Sequence, residues 1–189
     1  GRRARVLGWH ATWTERGDPA RPWTYSGALT LTDDRVPDPV RAALPAALER
    51  LVAATGLAGL CGIDLCVDGP RWWLIEINPR PTATAELHER DPGLLTLHRA
   101  AVTGVLPAVP APLAGCRGQA VVYAGRPLRV VPFAWPDWTA DRPVPGSRIA
   151  SGQPLCTLTA AGDRPRAVRV VLARRRHQLR EILHSWPRP

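Results

Sequence analysis

A chain of 189 residues has the size of one ordinary domain with room for a small appendage, enough to bury a core without disulfide or metal staples. Its formal charge of +9 rests on arginine alone, because the sequence contains no lysine, and methionine is absent as well. Such a charge raises nucleic acid as a partner. Complete replacement of lysine by arginine beside abundant Ala, Gly and Pro instead fits a GC-rich coding sequence. The one dense basic run, Arg174-Arg175-Arg176, has no aromatic residues interleaved to stack bases, so nucleic-acid binding is not expected.

Residues Arg5 to Trp13 have strand composition and lead into the loop Glu15–Pro22, after which Trp23 to Thr30 is predicted to return beside the first strand. Asp38-Pro39 is an N-cap followed by proline, and the alanine- and leucine-rich run to Thr55 reads as a helix closed by Gly56. Pro45 removes an amide donor from this run and predicts a kink or restart, leaving Pro45 to Ala54 as the well-formed part. Leu44, Leu48 and Leu51 fall at helical spacing and read as core.

The next stretch, Cys61 to Arg80, reads as two apolar strands around a turn at Gly69 and Pro70, each strand carrying an acid. A hairpin with a three-residue loop sets Asp68 against Trp72 and hence Asp64 against Glu76. Paired residues share a face, and alternation adds Asn78 to it, with Arg80 following if the strand continues. Ile63, Leu65, Ile75 and Ile77 make the opposite face apolar. Two carboxylates this close call for a cation between them. Oxygen donors without His or Cys favour Mg²⁺ or Mn²⁺, and an arginine beside such an ion suits phosphate oxygens. The alternative is a pair of acids on the solvent face of an ordinary hairpin.

Beyond the hairpin, Pro81 to Ala85 is predicted as a loop and Glu86 to Thr103 as helix interrupted at Asp91-Pro92-Gly93. His88 and His98 in this stretch lack ligand spacing and read as surface or hydrogen-bonded histidines. Gly104 to Gly118 reads as a Pro- and Gly-rich linker. Gln119–Tyr123 and Leu128–Phe133 are predicted to form a hairpin around Gly125, with Pro154–Ala160 a further strand. Arg166–Trp186 reads as a helix with Val168, Val171, Leu172, Leu179, Ile182, Leu183 and Trp186 along one stripe. Trp135-Pro-Asp-Trp138 and Asp141-Arg142-Pro143 read as loop segments stitched to the core rather than as a substrate pocket. The four cysteines, Cys61, Cys66, Cys116 and Cys156, show no C-x-x-C spacing and read as small core residues. No signal peptide, membrane span or lipidation motif is evident, and the expected compartment is the cytoplasm.

Gly62-Ile-Asp-Leu65 followed by Leu74-Ile-Glu-Ile-Asn-Pro-Arg-Pro81 resembles the metal and phosphate motif of the ATP-grasp superfamily. Further echoes are Arg21-Pro-Trp-Thr-Tyr-Ser-Gly27, Gly56-Leu-Ala-Gly-Leu60, Asn78-Pro-Arg-Pro-Thr-Ala-Thr84, Trp135-Pro-Asp-Trp-Thr-Ala-Asp-Arg-Pro143 and Pro145-Gly-Ser-Arg-Ile149. Together they are similar to ATP-grasp proteins described as predicted carboligases. The resemblance implies an α+β fold, an ATP-grasp C-terminal lobe with an antiparallel sheet flanked by helices and a small β-rich appendage ending in a helix. It implies residues 1–104 as the truncated lobe, 105–118 as linker and 119–189 as appendage.

By the same resemblance, Asp64, Glu76 and Asn78 hold the Mg²⁺ (or Mn²⁺) of ATP, with Glu76, Asn78 and Arg80 as nucleotide contacts and Arg80 as the catalytic arginine. The implied activity is ligation of a carboxylate, activated as acyl phosphate, to an amine. The glycine-rich loop and the phosphate-binding lysines of the superfamily have no counterpart here, so the chain is read as a C-terminal fragment, inactive alone, whose partner is the N-terminal lobe of the same protein. A non-catalytic binding module of the same fold is the alternative.

Overall fold

The computed structural model describes residues 3–14 and 22–187. The strands β1 (Trp9–Thr14) and β2 (Tyr25–Leu31) are followed by a helix α1 (Asp38–Thr55), the hairpin strands β3 (Gly62–Asp68) and β4 (Arg71–Asn78), and a short 3-10 segment, Ala83–His88. Then come α2 (Leu94–Val102), β5 (Cys116–Tyr123), the two-residue strands β6 (Leu128–Arg129), β7 (Thr139–Ala140) and β8 (Arg148–Ile149), β9 (Pro154–Gly162) and α3 (Pro165–His184). The loop expected over Glu15–Pro22 lies outside the described residues except for Pro22. The chain divides into two compact units, one of residues 3–10 and 30–114, the other of residues 11–14, 22–29 and 115–187.

In the second unit the sheet runs in the order β1-β2-β5-β9-β7. β5 is central, pairing antiparallel with β2 (Gly27↔Ala120) and with β9 over its whole length (Ala120↔Leu158, Val122↔Cys156). α3 packs on β5 and β9. Its Val168, Leu172, Leu179 and Leu183 are buried together with Leu158, Val122 and Trp186, so the stripe read from the sequence is the one that meets the sheet. Arg126 seals the end of the helix by donating to the carbonyls of Leu183, His184 and Trp186, at 3.2, 3.1 and 2.7 Å, where unpaired carbonyls and the negative pole of the helix favour a cation.

The hairpin expected between 119–123 and 128–133 does not form. Leu128–Arg129 pairs instead with Arg148–Ile149, and β5 takes the distant strands β2 and β9 as neighbours. Gly125 marks a turn, but the partner of β5 is chosen by the apolar sheet face rather than by the nearest turn. β5 also begins at Cys116, inside the stretch read as linker. Phe133, Trp135 and Trp186 stack edge-on, with centroids 5.2 to 5.8 Å apart. Arg142 ties its loop down by donating to the Thr139 and Pro136 carbonyls, so this region is stitched as the sequence suggested.

In the first unit α1 is continuous through Pro45. Pro45 is exposed, which leaves the carbonyl that lost its amide partner on the solvent side, and no restart is needed. The helix ends at Gly56, whose φ of 76° is left-handed and suits a residue without Cβ. Val40 and Leu44 are its buried contacts, with Leu48 and Leu51 half-buried. The expected helix over 86–103 divides into the 3-10 segment and α2. Cys116 and Cys156 are core residues, and burial pushes the Cys156 thiol up to about 12. Cys61 is half-buried and Cys66 exposed, contrary to expectation, because β3 lies in a sheet with only β4.

Candidate functional site

The acids of the hairpin face one another, with Asp64 opposite Glu76 and Gly62 opposite Asn78. The route to this pairing differs from the expected one. The turn is a two-residue loop, Gly69-Pro70, so Asp68 pairs with Arg71, not with Trp72. An irregularity between Asp64 and Leu65 then leaves Ile75 as an extra residue on β4, and the register shifts by one before Glu76 is reached. The shift turns Ile75 out to solvent instead of into the apolar face, and it puts Trp73, the partner of Cys66, on the acid face.

Asp64 and Glu76 are exposed and Asn78 is half-buried. Past the end of β4 the chain turns sharply, with the amide of Arg80 donating to the Asn78 carbonyl at 2.8 Å. The Arg80 Nη2 donates to Asn78 Oδ1 at 3.4 Å and Nη1 to the Pro81 carbonyl at 3.3 Å. The guanidinium is thereby set at the amide end of the acid face. Gly62 allows Thr82 to close over this end, because a Cβ there would collide with the Thr82 methyl. Thr82 and Thr84 join their hydroxyls at 2.9 Å.

One neighbour was not legible in the sequence. His10, at the start of β1, feels the charge of Asp64, which favours its protonated form, but burial outweighs that charge and lowers its pKa below the usual histidine value. Its ring lies 6.0 Å from that of His88, centroid to centroid. Nothing in the local pattern around His10 announces a neighbour so distant in sequence. His98 is satisfied as expected, accepting from the Leu60 amide at 3.0 Å.

The donor set is thus two facing carboxylates and an amide oxygen, with an arginine beside the amide. Among the described residues no group of three or more His, Cys, Asp or Glu is placed to hold a metal by itself. Oxygen-only donors fit a hard divalent ion that completes its shell with water and phosphate oxygens. An ion of that kind is also what relieves the repulsion between paired carboxylates.

Two comparisons bear on this geometry. In fold the chain is similar to stretches of three solved structures. It aligns with Kluyveromyces lactis urea amidolyase at a TM-score of 0.68 and 17% identity, over 91% of this chain and 11% of that one. It aligns with Kluyveromyces lactis urea carboxylase at 0.62 and 17%, over 80% and 15%. A single-chain, multi-domain long-chain acyl-CoA carboxylase gives 0.59 and 17%, over 96% and 21%. The chain therefore spans between about a tenth and a fifth of these neighbours. No curated protein matches the sequence. Residues 4–84, a segment that holds Asp64, Glu76, Asn78 and Arg80, match the family model described as ATP-grasp domain. No helix among the described residues is long and apolar enough to cross a membrane.

Proposed function

We propose that the chain is the C-terminal part of an ATP-grasp enzyme that activates a carboxylate as its acyl phosphate for attack by an amine. The observation that carries this reading is the facing of Asp64 and Glu76 on a hairpin whose end presents Asn78 and Arg80 on one side. Asp64, Glu76 and Asn78 would hold Mg²⁺ or Mn²⁺, and the ion would supply charge neutralisation at the phosphoryl group being transferred. The two carboxylates keep the site anionic enough to retain a divalent cation. Arg80, oriented by the Asn78 amide, binds phosphate oxygens and offsets the negative charge that develops on them. The companion lobe of the same protein would supply the remaining nucleotide contacts. The identity of this chain as one piece of such an enzyme is supported by its similarity to short stretches of much longer carboxylases.

The test is made on the complete protein, with ADP release from Mg-ATP followed across a panel of carboxylates in the presence of amines. Glu76→Ala is expected to lower ADP release by about a hundredfold or more. Because Glu76 is exposed, thermal unfolding should barely move. Retained turnover in Glu76→Ala would sink the metal assignment. Binding of Mg²⁺ without carboxylate-dependent ADP release would favour a non-catalytic module of the same fold.

A further inference from the structure

Residues 56–61 join α1 to β3, and two glycines in this segment are fixed by geometry. Gly56 closes α1, and Gly59 stands at a φ of 86°, a backbone conformation that favours a residue without Cβ. A Cβ on Gly59 would also lie 2.7 Å from Cε1 and 2.8 Å from Nδ1 of His98, and 2.9 Å from Cγ2 of Val102. The segment is thus pressed against the side chains of α2 at this point. One residue on, the Leu60 amide donates to His98 Nδ1 at 3.0 Å, a partly buried bond between groups 38 positions apart in the chain. Gly62, two residues past Leu60, begins β3 opposite Asn78, and Asp64 stands two residues further along.

A ring nitrogen accepts a hydrogen bond only while it carries no proton, so the His98 ring in this arrangement is neutral with its proton on Nε2. When an imidazole takes up a second proton, both of its nitrogens become donors. Nδ1 then turns from the acceptor of the Leu60 amide into a donor facing another donor, and the bond is lost outright rather than weakened. Histidine is the side chain whose charge changes between about pH 5 and 8. An asparagine oxygen in the same place would accept at every pH. The ring packs on Gly59 and Val102, which do not titrate. The titratable and charged groups on the surrounding elements are Cys61 on the same segment, Arg99 beside His98 on α2, and Glu86 and His88 on the 3-10 segment that packs on α2. Burial pushes the Cys61 thiol up from 9.0, so it carries no charge across this range. His88 is a second histidine, so any readout has to be tied to the His98 ring itself.

We propose that His98 and the Leu60 amide form a pH-sensitive latch: the neutral ring holds the segment leading into β3 against α2, and protonation of the ring releases it. What is released is the entry to the strand that carries Asp64, at the end of the hairpin where Asn78 lies. The β3–β4 ladder begins at Gly62, beyond the latch, so the change is a loosening of the entry with the ladder intact. The latch does not depend on what Asp64 and Glu76 bind. Its partners come from α2 and from the segment before β3, which is why a local reading of either stretch shows only a histidine and a pair of glycines.

The experiment is NMR of the full chain from about pH 8 to about pH 5, following the Leu60 amide proton together with the Cε1 proton of His98. The Leu60 signal is expected to move toward that of an amide without a partner, in step with the His98 ring signal. Its protection against hydrogen exchange, corrected for the intrinsic pH dependence of exchange, should fall by about tenfold or more. His98→Asn keeps an acceptor that takes no proton and should hold Leu60 protected at both ends of the range. His98→Ala removes the acceptor and should leave Leu60 unprotected throughout. The proposal is overturned by a Leu60 signal that stays constant while the ring titrates, by a ring that does not titrate in this range, or by pH dependence that persists in His98→Asn. If His98→Ala fails to fold, the titration of the unsubstituted chain and His98→Asn decide the matter without it.

Discussion

The β5–β9 ladder and the β3–β4 hairpin are both antiparallel pairs of similar length, yet they are held in different ways. β5 and β9 lie inside a sheet with further strands on either side and α3 across them, and Leu158 at the middle is fully buried. β3 and β4 pair only with each other, and Val67, Trp73, Leu74 and Ile75 are exposed, Ile75 by 65%. A two-stranded pair has little capacity to stabilise itself. The ladder is therefore a structural element, whereas the hairpin presents side chains whose mutual position matters more than their burial. Acids placed on such an element, here Asp64 and Glu76, stand exposed without any core having to open.

The largest test of this contrast is Leu158→Ala, which leaves a cavity under α3 and should destabilise the second unit by about 2–5 kcal/mol, read from denaturant unfolding. If the loss were under about 1 kcal/mol, the ladder would not be the stabilising element described. A smaller effect is expected from pH. His10 has its pKa lowered by burial, so the unfolded chain takes up its proton before the folded one does. Stability should then be full above the ordinary histidine value of 6.5 and decline as pH falls below it. His10→Gln should flatten that decline, and an unchanged pH profile would show that His10 is not buried as described. The smallest effect belongs to the hairpin: Ile75→Thr, at an exposed bulge position, should shift stability by no more than about 0.5 kcal/mol. A loss of 2 kcal/mol or more, roughly that of a core substitution, would erase the difference between the two regions.

The parts of the fold that were legible are those decided by near neighbours in sequence. The stripe of α3 predicted its buried face because helical spacing is fixed by backbone geometry alone. Gly56 closed α1 where it stood because only local dihedral angles were involved. The pairing of Asp64 with Glu76 was legible through alternation and a turn signal, although the loop length assumed was one residue too long. What was not legible required partners far apart in the chain. β5 ignored the nearby 128–133 segment for β2 and β9, and Arg169 found Trp13, a residue with which it shares no local pattern. The same limit hid His10 from Asp64. Sequence reading gave the acids of the candidate site and missed the histidine beside them, for a single reason: cross-strand neighbours joined by a short turn are written locally, and neighbours joined by the fold are not.

The extra residue at Ile75 has one further consequence, for the history of the turn. Because the bulge moves the register by one step between the tip and the acids, the length of the tip is uncoupled from the alignment of Asp64 with Glu76. A three-residue tip that paired Asp68 with Trp72, without the bulge at Ile75, would bring the same two carboxylates face to face. Tip length and bulge can thus trade against each other, so this hairpin can change its turn while keeping Asp64 opposite Glu76.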